Sequence, residues 1–418
     1  MKYYIIAGEA SGDLHGSNLV KGLLEKDPSA QIRAWGGELM RQAGAEVVKD
    51  YRENSIMGFV EVVANIGKIL GNMKECCKDI LAFNPDVVIL IDYPGFNMKI
   101  AKFAKKHGFK VFYYIAPKVW AWKERRVHKI KRFVDKLFII FPFEVEYFRK
   151  WGIETVYRGN PLLDSVCNFS HAGESRAAFE ARTSPKRQVI CTTAAEPATA
   201  AAAMPIIAAL AGSRKMEIGF LLPRIVRTAL AMPQYRFIIA AAPSMEPEYL
   251  IKMIQKELAA AGAPAGTSQA GSHKKQSCIS HTQAGRCNIE IMYGETYAVL
   301  QQSVAAIISS GTASLEAALL KTPQVVCYGG NPISFYIAKA VVKLKYISLA
   351  NLILDKLIFK EILQNDCTPA NISAELEALI NQKTYRDAML ADYDKVHQLL
   401  GGGGASGRIA EAMIEELK

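Results

Sequence analysis

Two acidic residues, Glu9 and Asp92, each follow a short apolar run that predicts a buried strand, at 3–7 and at 87–91. Parallel sheets bind ligands at the carboxyl ends of their strands, so we expect both carboxylates at one edge of one sheet. Carboxylates accept hydrogen bonds from sugar hydroxyls, and one that lies beside apolar residues can act as a general base. We therefore predict that Asp92 and Glu9 are catalytic. The alternative for Asp92 is a turn or helix-cap residue.

The glycine-rich turn GEASGD, at 8–13, carries two carboxylates and no lysine. Such strand-to-helix turns usually bind phosphate through helix N–H groups, so this one is a poor phosphate site and phosphate should bind elsewhere. Ser11 lies in this turn, and Asn97 follows the Pro-Gly turn after Asp92. We predict both as acceptor-side or supporting polar residues.

Two further strand–turn–helix patterns, near 206–216 and 305–316, predict an anion site. Glycine lets the backbone approach a ligand, helix N–H groups point at it, and an arginine can hold it with two hydrogen bonds. Each turn alone is equally consistent with a surface glycine turn, but together they predict a nucleotide diphosphate site. Its expected residues are Gly212, Ser213, Arg214, Ser310, Gly311, Thr312 and Glu316.

Two stretches predict contact with lipid. The stretch 55–70 is apolar on all sides, although a buried core helix is an equal alternative. The stretch 117–132 places seven Lys or Arg residues beside two tryptophans, which suits anionic lipid, a phosphate-bearing acceptor or nucleic acid. The net charge of +11 also favours an anionic partner. The residues predicted to face lipid are Val60, Val62, Val63, Ile66, Ile69, Leu70, Trp120, Trp122, Arg125 and Arg126.

The elements that must position these residues alternate between strand and helix. This alternation predicts an α/β fold with two facing Rossmann-like domains, at 1–165 and 186–350. We expect a linker at 165–187. We expect a helical segment at 351–418 that returns to the first domain or to a partner copy.

Composition narrows the class of protein. Half of the residues are apolar and 22% are charged, which is typical of a globular protein. The eight cysteines form no C-x-x-C pair, which disfavours zinc and suits a reducing cytoplasm. There is no P-loop or G-x-S-x-G motif, and we expect no metal or other cofactor. No apolar run approaches the roughly 20 residues that span a bilayer, and no signal peptide is expected, so membrane contact should be peripheral.

Two stretches rich in Ala, Gly, Ser and Thr, at 191–204 and 259–288, lack the periodicity of helices or strands. We predict them as surface insertions.

Nine short motifs, in this order along nearly the whole chain, resemble those of the lipid A disaccharide synthases. These are bacterial glycosyltransferases of the GT-B fold. The motifs are GEASGD (8–13), MGFVEV (57–62), IDYPGFN (91–97), APKVWAW (116–122), FPFE (141–144), GNPL (159–162), AGSRK (211–215), SSGTASLE (309–316) and YISLANL (346–352).

The resemblance implies an inverting transfer in lipid A and lipopolysaccharide biosynthesis. The donor would be UDP-2,3-diacylglucosamine and the acceptor 2,3-diacylglucosamine 1-phosphate, known as lipid X. The products would be the β-1,6-linked disaccharide 1-phosphate and UDP. The resemblance also implies an enzyme without a metal or a nucleic-acid partner, on the cytoplasmic face of the inner membrane of a Gram-negative bacterium. A homodimer with exchanged C-terminal segments is a further implication.

The resemblance assigns roles by motif. Asp92 would be the general base on the acceptor hydroxyl, and Glu9 an acceptor-side or supporting carboxylate. Arg214 would hold the UDP diphosphate, Asn351 would be a polar contributor, and 55–70 would seat acyl chains or the bilayer. The residues implied to line the nucleotide are Gly311, Thr312 and Glu316.

Four positions depart from the family pattern. Ala211 stands in place of proline, Glu295 in place of glutamine, and Ala116 and Lys118 each in place of serine. Glu295 adds negative charge near the predicted nucleotide site, and the two insertions, which have no counterpart in the family pattern, fall in the nucleotide-binding half, so we expect the departures to act mainly on donor binding.

Two alternatives remain open from the sequence. One is another UDP-sugar enzyme of the same fold, a transferase or an epimerase with a different substrate. The other is a non-catalytic protein that binds a polyanion or lipid through the basic tryptophan stretch.

Overall fold

Short runs of β-branched and aromatic residues form two separate parallel-type sheets, which confirms the predicted α/β class. The computed structural model describes residues 1–54, 66–121, 124–191, 204–242, 245–262, 288–330 and 345–418. They divide into a first unit, Met1–Ser165 with Leu399–Lys418, and a second unit, Val166–Gln398. The second unit is therefore inserted within the chain of the first.

Seven strands of the described chain form the first sheet, in the order β3-β2-β1-β4-β5-β6-β7. All neighbours are parallel, so helices must connect them and cover both faces. The strands are β1 (Lys2–Ala7), β2 (Gln31–Gly36), β3 (Glu46–Asp50), β4 (Val87–Ile91), β5 (Lys110–Tyr114), β6 (Lys136–Ile139) and β7 (Thr155–Tyr157). The helices are α1 (Ala10–Lys26), α2 (Glu38–Gln42), α3 (Ile66–Phe83), α4 (Pro94–Lys106), α5 (Val127–Phe133), α6 (Pro142–Arg149) and α7 (Pro161–Cys167).

The second sheet has the order β14-β13-β12-β9-β10-β11-β8 in the described residues, with only β8 antiparallel to its neighbour. Its strands are β8 (Arg187–Cys191), β9 (Ile206–Leu210), β10 (Arg236–Ala241), β11 (Asn288–Tyr293), β12 (Ser303–Ser309), β13 (Gln324–Tyr328) and β14 (Glu361–Leu363). The helices are α8 (Arg176–Thr183), α9 (Lys215–Ala231), α10 (Pro247–Ala260), α11 (Thr296–Gln301), α12 (Thr312–Leu319), α13 (Leu349–Leu354), α14 (Pro369–Asn381) and α15 (Lys383–Leu400). A last helix, α16 (Ala405–Glu415), belongs to the first unit.

Of the segment 165–187, which we predicted as a linker, all residues from Val166 onward are part of the folded second unit. It contains α8, whose Glu180 is bonded at 2.8 Å to the buried Arg236 of β10. Arg236 also pairs with Glu290 of β11 at 2.7 Å. Because buried charges need partners, this network fixes α8 against the sheet.

The C-terminal residues divide between the two units. We predicted that 351–418 as a whole returns to the first domain or to a partner, but only Leu399–Lys418 packs on the first unit. The apolar face of α14, with Ile372, Leu376 and Leu379, is buried on the second sheet. This packing holds α14 in the second unit.

The returning helix α16 packs along α1 and is capped by a residue far away in sequence. The buried Asp164 accepts hydrogen bonds from the backbone N–H groups of Gly404 (2.6 Å), Ala405 (3.0 Å) and Ser406 (2.8 Å). A carboxylate at a helix N-terminus satisfies otherwise unpaired N–H groups and complements the helix dipole. Asp164 therefore attaches α16 to the first unit.

The predicted insertions fall mostly outside the described residues, at 192–203 and 263–287.

Candidate functional site

The predicted catalytic residues follow neighbouring strands of the first sheet. β1 and β4 pair in parallel, with Ala7 opposite Ile91, so the turns that begin at Gly8 and Asp92 lie side by side. The strand order reverses direction between β1 and β4. In open α/β sheets such a switch point is where ligands bind, because the loops on its two sides diverge and leave a crevice.

The backbone at the end of β4 adopts an unusual conformation. Asp92 and Tyr93 both lie in the left-handed region, with φ of 43° and 47°. The carbonyl of Asp92 accepts hydrogen bonds from the Tyr113 hydroxyl (2.6 Å) and from Asn97 Nδ2 (2.9 Å). Left-handed conformations of non-glycine residues are strained and are concentrated at functional sites. These bonds hold the half-buried Asp92 in this conformation.

The two turns pack against each other through Gly8 and Tyr93. A Cβ atom at Gly8 would lie 2.3 Å from Cγ of Tyr93, so the ring occupies the place of a side chain. Burial raises the pKa of the Tyr93 phenol, and the charge of Glu9 raises it further. The Glu9 carboxylate therefore lies close enough to the Tyr93 phenol to act on it electrostatically.

The other polar residues of these turns have different roles. Asp13 accepts hydrogen bonds from the N–H groups of Gly37 (2.8 Å), Leu39 (3.1 Å) and Met40 (3.2 Å), and so caps α2. Ser11 is exposed in the first turn of α1.

Asn97 is completely buried. Its amide donates to the carbonyls of Ile91 (3.2 Å) and Asp92 (2.9 Å), at the end of β4. It therefore supports the turn from inside rather than reaching a ligand.

The two predicted nucleotide turns also follow neighbouring strands. β9 and β12 pair in parallel with Leu210 opposite Ile308, and the order of the second sheet reverses between them. Gly212 has a φ of 110°, and a Cβ there would meet Ser309 Oγ at 3.2 Å and Glu217 at 2.6 Å. The glycine thus allows the turns before α9 and α12 to approach each other closely.

Glu217, which the sequence analysis did not single out, occupies part of the predicted anion site. Its Oε2 accepts a hydrogen bond from the backbone N–H of Ser213 at 3.2 Å. Its Oε1 lies 3.6 Å from a guanidinium nitrogen of Arg214, whose side chain is 56% exposed. An incoming diphosphate would compete with this carboxylate for the same two donors.

Glu316 is held by a residue of the neighbouring helix. The Tyr297 hydroxyl donates to Glu316 Oε1 at 2.8 Å, and burial raises the pKa of this carboxyl. Of the remaining predicted residues, Ser310 and Gly311 are half-buried and Thr312 is exposed at the start of α12.

Glu295, one of the departures from the family pattern, is neutralised within the second unit. It accepts from Arg182 at 2.7 Å and from Lys186 at 2.5 Å. Burial alone would raise its pKa, but these two cations hold the pKa below its ordinary value. The extra negative charge is therefore compensated locally.

Asn351 is fully buried and bonded within the second unit. Its Nδ2 donates to Glu361 at 2.9 Å and to the Phe359 carbonyl at 3.1 Å, and its Oδ1 accepts from the Ile358 N–H at 2.9 Å. These bonds give it a supporting role in the packing of α13 rather than a direct contact with substrate.

Trp120, predicted to face lipid, has its polar end turned into the protein. Its Nε1 donates to Oε1 of the buried Glu144 at 3.0 Å. The other carboxylate oxygen accepts from the Phe141 N–H at 3.1 Å, so Glu144 joins the loop after β5 to the end of β6. Burial raises the pKa of Glu144 to about 7, although these hydrogen bonds oppose the shift.

The remaining lipid-facing predictions are only partly described. Ile69 is half-buried and Leu70 is 50% exposed on α3, which begins at Ile66. Arg125 is exposed and Arg126 is half-buried just before α5. Val60, Val62, Val63 and Trp122 lie outside the described residues.

Within the described ranges, no helix is both long enough and apolar enough to cross a membrane. The same ranges contain no cluster of three or more His, Cys, Asp or Glu side chains that could hold a metal ion.

Four functional or supporting side chains were missed by sequence reasoning: Tyr93, Glu144, Glu217 and Tyr297. Glu217 had a signal, since an acidic residue in the first turn of a helix often binds its free N–H groups. Tyr93 and Tyr297 depend on partners that are distant in sequence, so no local pattern announces them. Glu144 combines such a partner, Trp120, with a local hydrogen bond from the Phe141 N–H.

The sequence matches one protein family along nearly its whole length. The model of the family described as "Lipid-A-disaccharide synthetase" matches residues 3–261 and 267–405. The lipid-A-disaccharide synthase of Geobacter metallireducens is 34% identical over 417 residues, which cover 99% of this chain and 96% of that protein. The synthase of Coxiella burnetii is 30% identical, with 98% of this chain and 96% of that protein covered.

Solved structures with the same fold have diverged much further in sequence. The UDP-GlcNAc 2-epimerase of Methanocaldococcus jannaschii, in complex with UDP-GlcNAc and UDP, has a TM-score of 0.61 at 16% identity, covering 99% of this chain and all of that one. The Neisseria meningitidis UDP-GlcNAc 2-epimerase bound to UDP-GlcNAc has a TM-score of 0.57 at 13% identity, with the same coverage. At these identities the likeness shows the GT-B fold alone.

Proposed function

The chain belongs to the lipid-A-disaccharide synthetase family of UDP-sugar-dependent glycosyltransferases, and from this premise we propose its substrates and mechanism. The donor is UDP-2,3-diacylglucosamine and the acceptor is 2,3-diacylglucosamine 1-phosphate. The products are the β-1,6-linked disaccharide 1-phosphate and UDP. The observation that supports this best is that the catalytic motifs and the nucleotide motifs each lie at the switch point of a sheet.

Asp92 is the general base of the proposed reaction. It takes the proton from the 6-hydroxyl of the acceptor as that oxygen attacks C1 of the donor sugar. Attack from the face opposite UDP inverts the configuration at C1. Glu9 accepts a hydrogen bond from another hydroxyl of the acceptor. A positioned base contributes about 10²- to 10⁴-fold to such a transfer.

The turns before α9 and α12 bind the leaving group. As the bond from C1 to the diphosphate oxygen breaks, negative charge accumulates on UDP. Arg214 and the N–H groups near Gly212 and Gly311 stabilise this charge. Glu217 must release the Ser213 N–H for the diphosphate to bind. Glu316 accepts hydrogen bonds from the ribose hydroxyls, and no metal ion takes part.

We further propose that the enzyme binds peripherally to the cytoplasmic face of the inner membrane. The exposed Leu70 and the basic residues near Arg125 support this. A homodimer that exchanges residues 399–418 is also proposed, because the glycine run 401–404 precedes a helix that a second copy could supply. Light scattering of the purified protein would show a mass of about 92 kDa for this dimer, twice the 46.0 kDa of one chain.

The test of the reaction is release of UDP by the purified protein in detergent micelles. The donor is supplied with and without the acceptor, in the presence of EDTA. We expect UDP release that requires the acceptor, with the disaccharide 1-phosphate detected by mass. Release without the acceptor, or formation of an epimerised UDP-sugar, would contradict the proposed transfer. Loss of activity in EDTA that added metal restores would contradict the metal-free mechanism.

A further inference from the structure

The turn that we expect to bind the diphosphate already holds a negative group of the protein itself. We call residues 211–214 the anion turn, which connects β9 to α9. Glu217, in the first turn of α9, accepts a hydrogen bond through Oε2 from the Ser213 N–H at 3.2 Å. Its Oε1 lies 3.6 Å from a guanidinium nitrogen of Arg214. One carboxylate therefore contacts a backbone donor and the cation of the turn at the same time, as a phosphate group would.

The Glu217 side chain also covers the open face of the anion turn. Gly212 has a φ of 110°, and a Cβ there would lie 2.6 Å from Glu217 Oε2 and 2.8 Å from Glu217 Cβ. The same Cβ would lie 3.2 Å from Ser309 Oγ, at the end of β12. The space beside Gly212 is therefore filled by the carboxylate and bordered by the second predicted nucleotide turn. A phosphate that approaches this backbone must displace Glu217.

The alternative role for Glu217 is to cap α9. In a capping box, the acidic residue at the third helical position accepts a hydrogen bond from the N–H of the N-cap residue, which here is Arg214. Glu217 instead accepts from the N–H of Ser213, one residue further from the helix. The carboxylate is thus directed at the anion turn, although its charge also complements the dipole of α9.

The two contacts of Glu217 are weak enough to be exchanged. Charge-assisted hydrogen bonds are usually about 2.7–2.9 Å long, and both contacts are longer than this. The Arg214 side chain is 56% exposed, so water screens the ion pair. A diphosphate has more charge and more acceptor oxygens than one carboxylate, so it can replace both contacts with shorter ones.

We propose that Glu217 is an internal competitor of the nucleotide. Its carboxylate occupies the anion turn in the free enzyme, leaves when the diphosphate binds, and returns when UDP departs. The inference rests on the proposed function for the assignment of this turn to UDP. It adds a residue that sets nucleotide affinity without touching the reacting atoms. The competition weakens the binding of donor and product alike, and it shortens the time for which UDP stays bound after the transfer.

Titration calorimetry with UDP measures the competition directly. Glu217→Gln removes the charge but keeps an oxygen that can accept from the Ser213 N–H, and Glu217→Ala removes both. We expect both variants to bind UDP about 3- to 20-fold more tightly than the wild type, because the diphosphate no longer has to displace a charged group. Most of the change should be a slower dissociation of UDP, which stopped-flow displacement measures.

Glu257→Gln is the matched control. Glu257 pairs with Arg227 at 2.9 Å in the same unit, with 14% of the Glu257 side chain and 58% of the Arg227 side chain exposed. The corresponding exposures are 13% for Glu217 and 56% for Arg214, so the same charge is removed from a closely similar ion pair. This pair lies far along α9 from the anion turn, and its loss should leave the affinity for UDP at the wild-type value.

A capping role for Glu217 predicts a different result. If the side chain only stabilises the turn, Glu217→Gln binds UDP like the wild type and Glu217→Ala binds it more weakly. Unchanged or weaker binding of UDP by Glu217→Gln would therefore overturn the proposal, as would equal tightening in Glu257→Gln. Thermal unfolding identifies any variant that has lost the fold, and the nearly isosteric Glu217→Gln decides the test if Glu217→Ala does not fold.

A second probe, inorganic pyrophosphate, separates the inference from the proposed function, because its binding needs neither uridine nor turnover. Tighter binding of pyrophosphate by Glu217→Gln than by the wild type, without UDP release in the transfer assay, would support the competition and contradict the proposed reaction. Suppose instead that UDP release requires the acceptor, while the wild type and Glu217→Gln bind both pyrophosphate and UDP equally. That result would support the reaction and overturn the competition.

Discussion

The aromatic ring of Tyr93 occupies the space that a side chain at Gly8 would need, with only 2.3 Å between Cγ of Tyr93 and an ideal Cβ at position 8. Gly8, the first glycine of the acidic turn, is therefore needed so that the turns after β1 and β4 can pack against each other, and not so that a phosphate can bind. This explains how a glycine-rich turn with two carboxylates fits the fold. One carboxylate caps α2, and the other lies beside the end of β4.

We expect Gly8→Ala to impair activity strongly, because the added methyl group would force the Tyr93 ring away and distort the turn that carries Asp92. The measurements are kcat/KM for the acceptor and the melting temperature. Gly95→Ala is the control, since no atom lies within 4 Å of a Cβ there. A fully active Gly8→Ala enzyme would mean that the contact between the two turns is not needed.

Asp92→Asn should lower kcat by about 10²- to 10⁴-fold while UDP affinity and the melting temperature stay near wild type. Asparagine tolerates the left-handed conformation that Asp92 adopts, so the backbone is preserved while the base is lost. Steady-state rates measure the expected loss of kcat, and titration calorimetry with UDP measures the unchanged affinity. Retention of most of the activity would remove Asp92 as the base.

Arg214→Ala should weaken UDP binding and lower kcat by about 10²- to 10³-fold, because the leaving diphosphate loses a charged donor. Arg227→Ala is the control, as this arginine is similarly exposed on α9 but pairs with Glu257. If both variants behave alike, the turn before α9 does not hold the diphosphate.

Glu144 should make stability depend on pH in a definite direction. Burial raises the pKa of this carboxyl from 4.5 to about 7 in the folded protein, so the folded state binds the proton more tightly than the unfolded state. The contribution of Glu144 to the free energy of unfolding is therefore largest at low pH, and it is lost as the pH rises through about 7. Relative to Glu144→Gln, the wild type should lose roughly 2 kcal/mol of unfolding free energy between about pH 5 and pH 8.

Denaturant unfolding at several pH values measures this difference, and fluorescence of the bonded Trp120 should change with a midpoint near 7. Glu146→Gln on the same helix is the control, because that side chain is exposed and should give no such trend. If the difference in unfolding free energy between the wild type and the Glu144→Gln variant is flat across the range, the burial argument is contradicted.

Asp164→Ala should lower the unfolding free energy by about 2 kcal/mol, because three backbone N–H groups at the start of α16 lose their acceptor. Protease should then cleave the glycine run 401–404 sooner than in the wild type, which gel electrophoresis over time would show. Asp394→Ala removes only an exposed surface pair with Lys321 and should change neither result. Equal proteolysis rates for Asp164→Ala and wild type would contradict the proposed attachment.

The central strands could be predicted from the sequence, since buried parallel strands are continuous apolar runs, whereas the strand order, and with it the two switch points, could not. The strand at 87–91 has the predicted bounds, and the strand–turn–helix patterns predicted near 206–216 and 305–316 contain β9 and most of β12. The strands that escaped prediction are short or lie toward the sheet edges, where half-buried sequences show no clear pattern: β3, β7, β8 and β14.

Side-chain roles were harder to predict than strands, because they depend on distant partners. Asn97 and Trp120 looked available to a ligand, yet one is buried against carbonyl groups and the other is bonded to Glu144. Asp92 and Glu9 were predicted from their places at the ends of apolar strands, a signal that lies within a few residues of each.

The return of residues 399–418 to the first unit imposes an order on biosynthesis. On the ribosome, α16 can cover its surface on α1 only after the 253 residues that follow Ser165 in the 418-residue chain have been synthesised. At a typical elongation rate this interval is about 10 to 50 s. During it, the nascent first unit presents an uncovered apolar strip and an unpaired Asp164 carboxylate to chaperones and proteases. The first unit is therefore incomplete, and open to aggregation and proteolysis, until residues 399–418 have emerged.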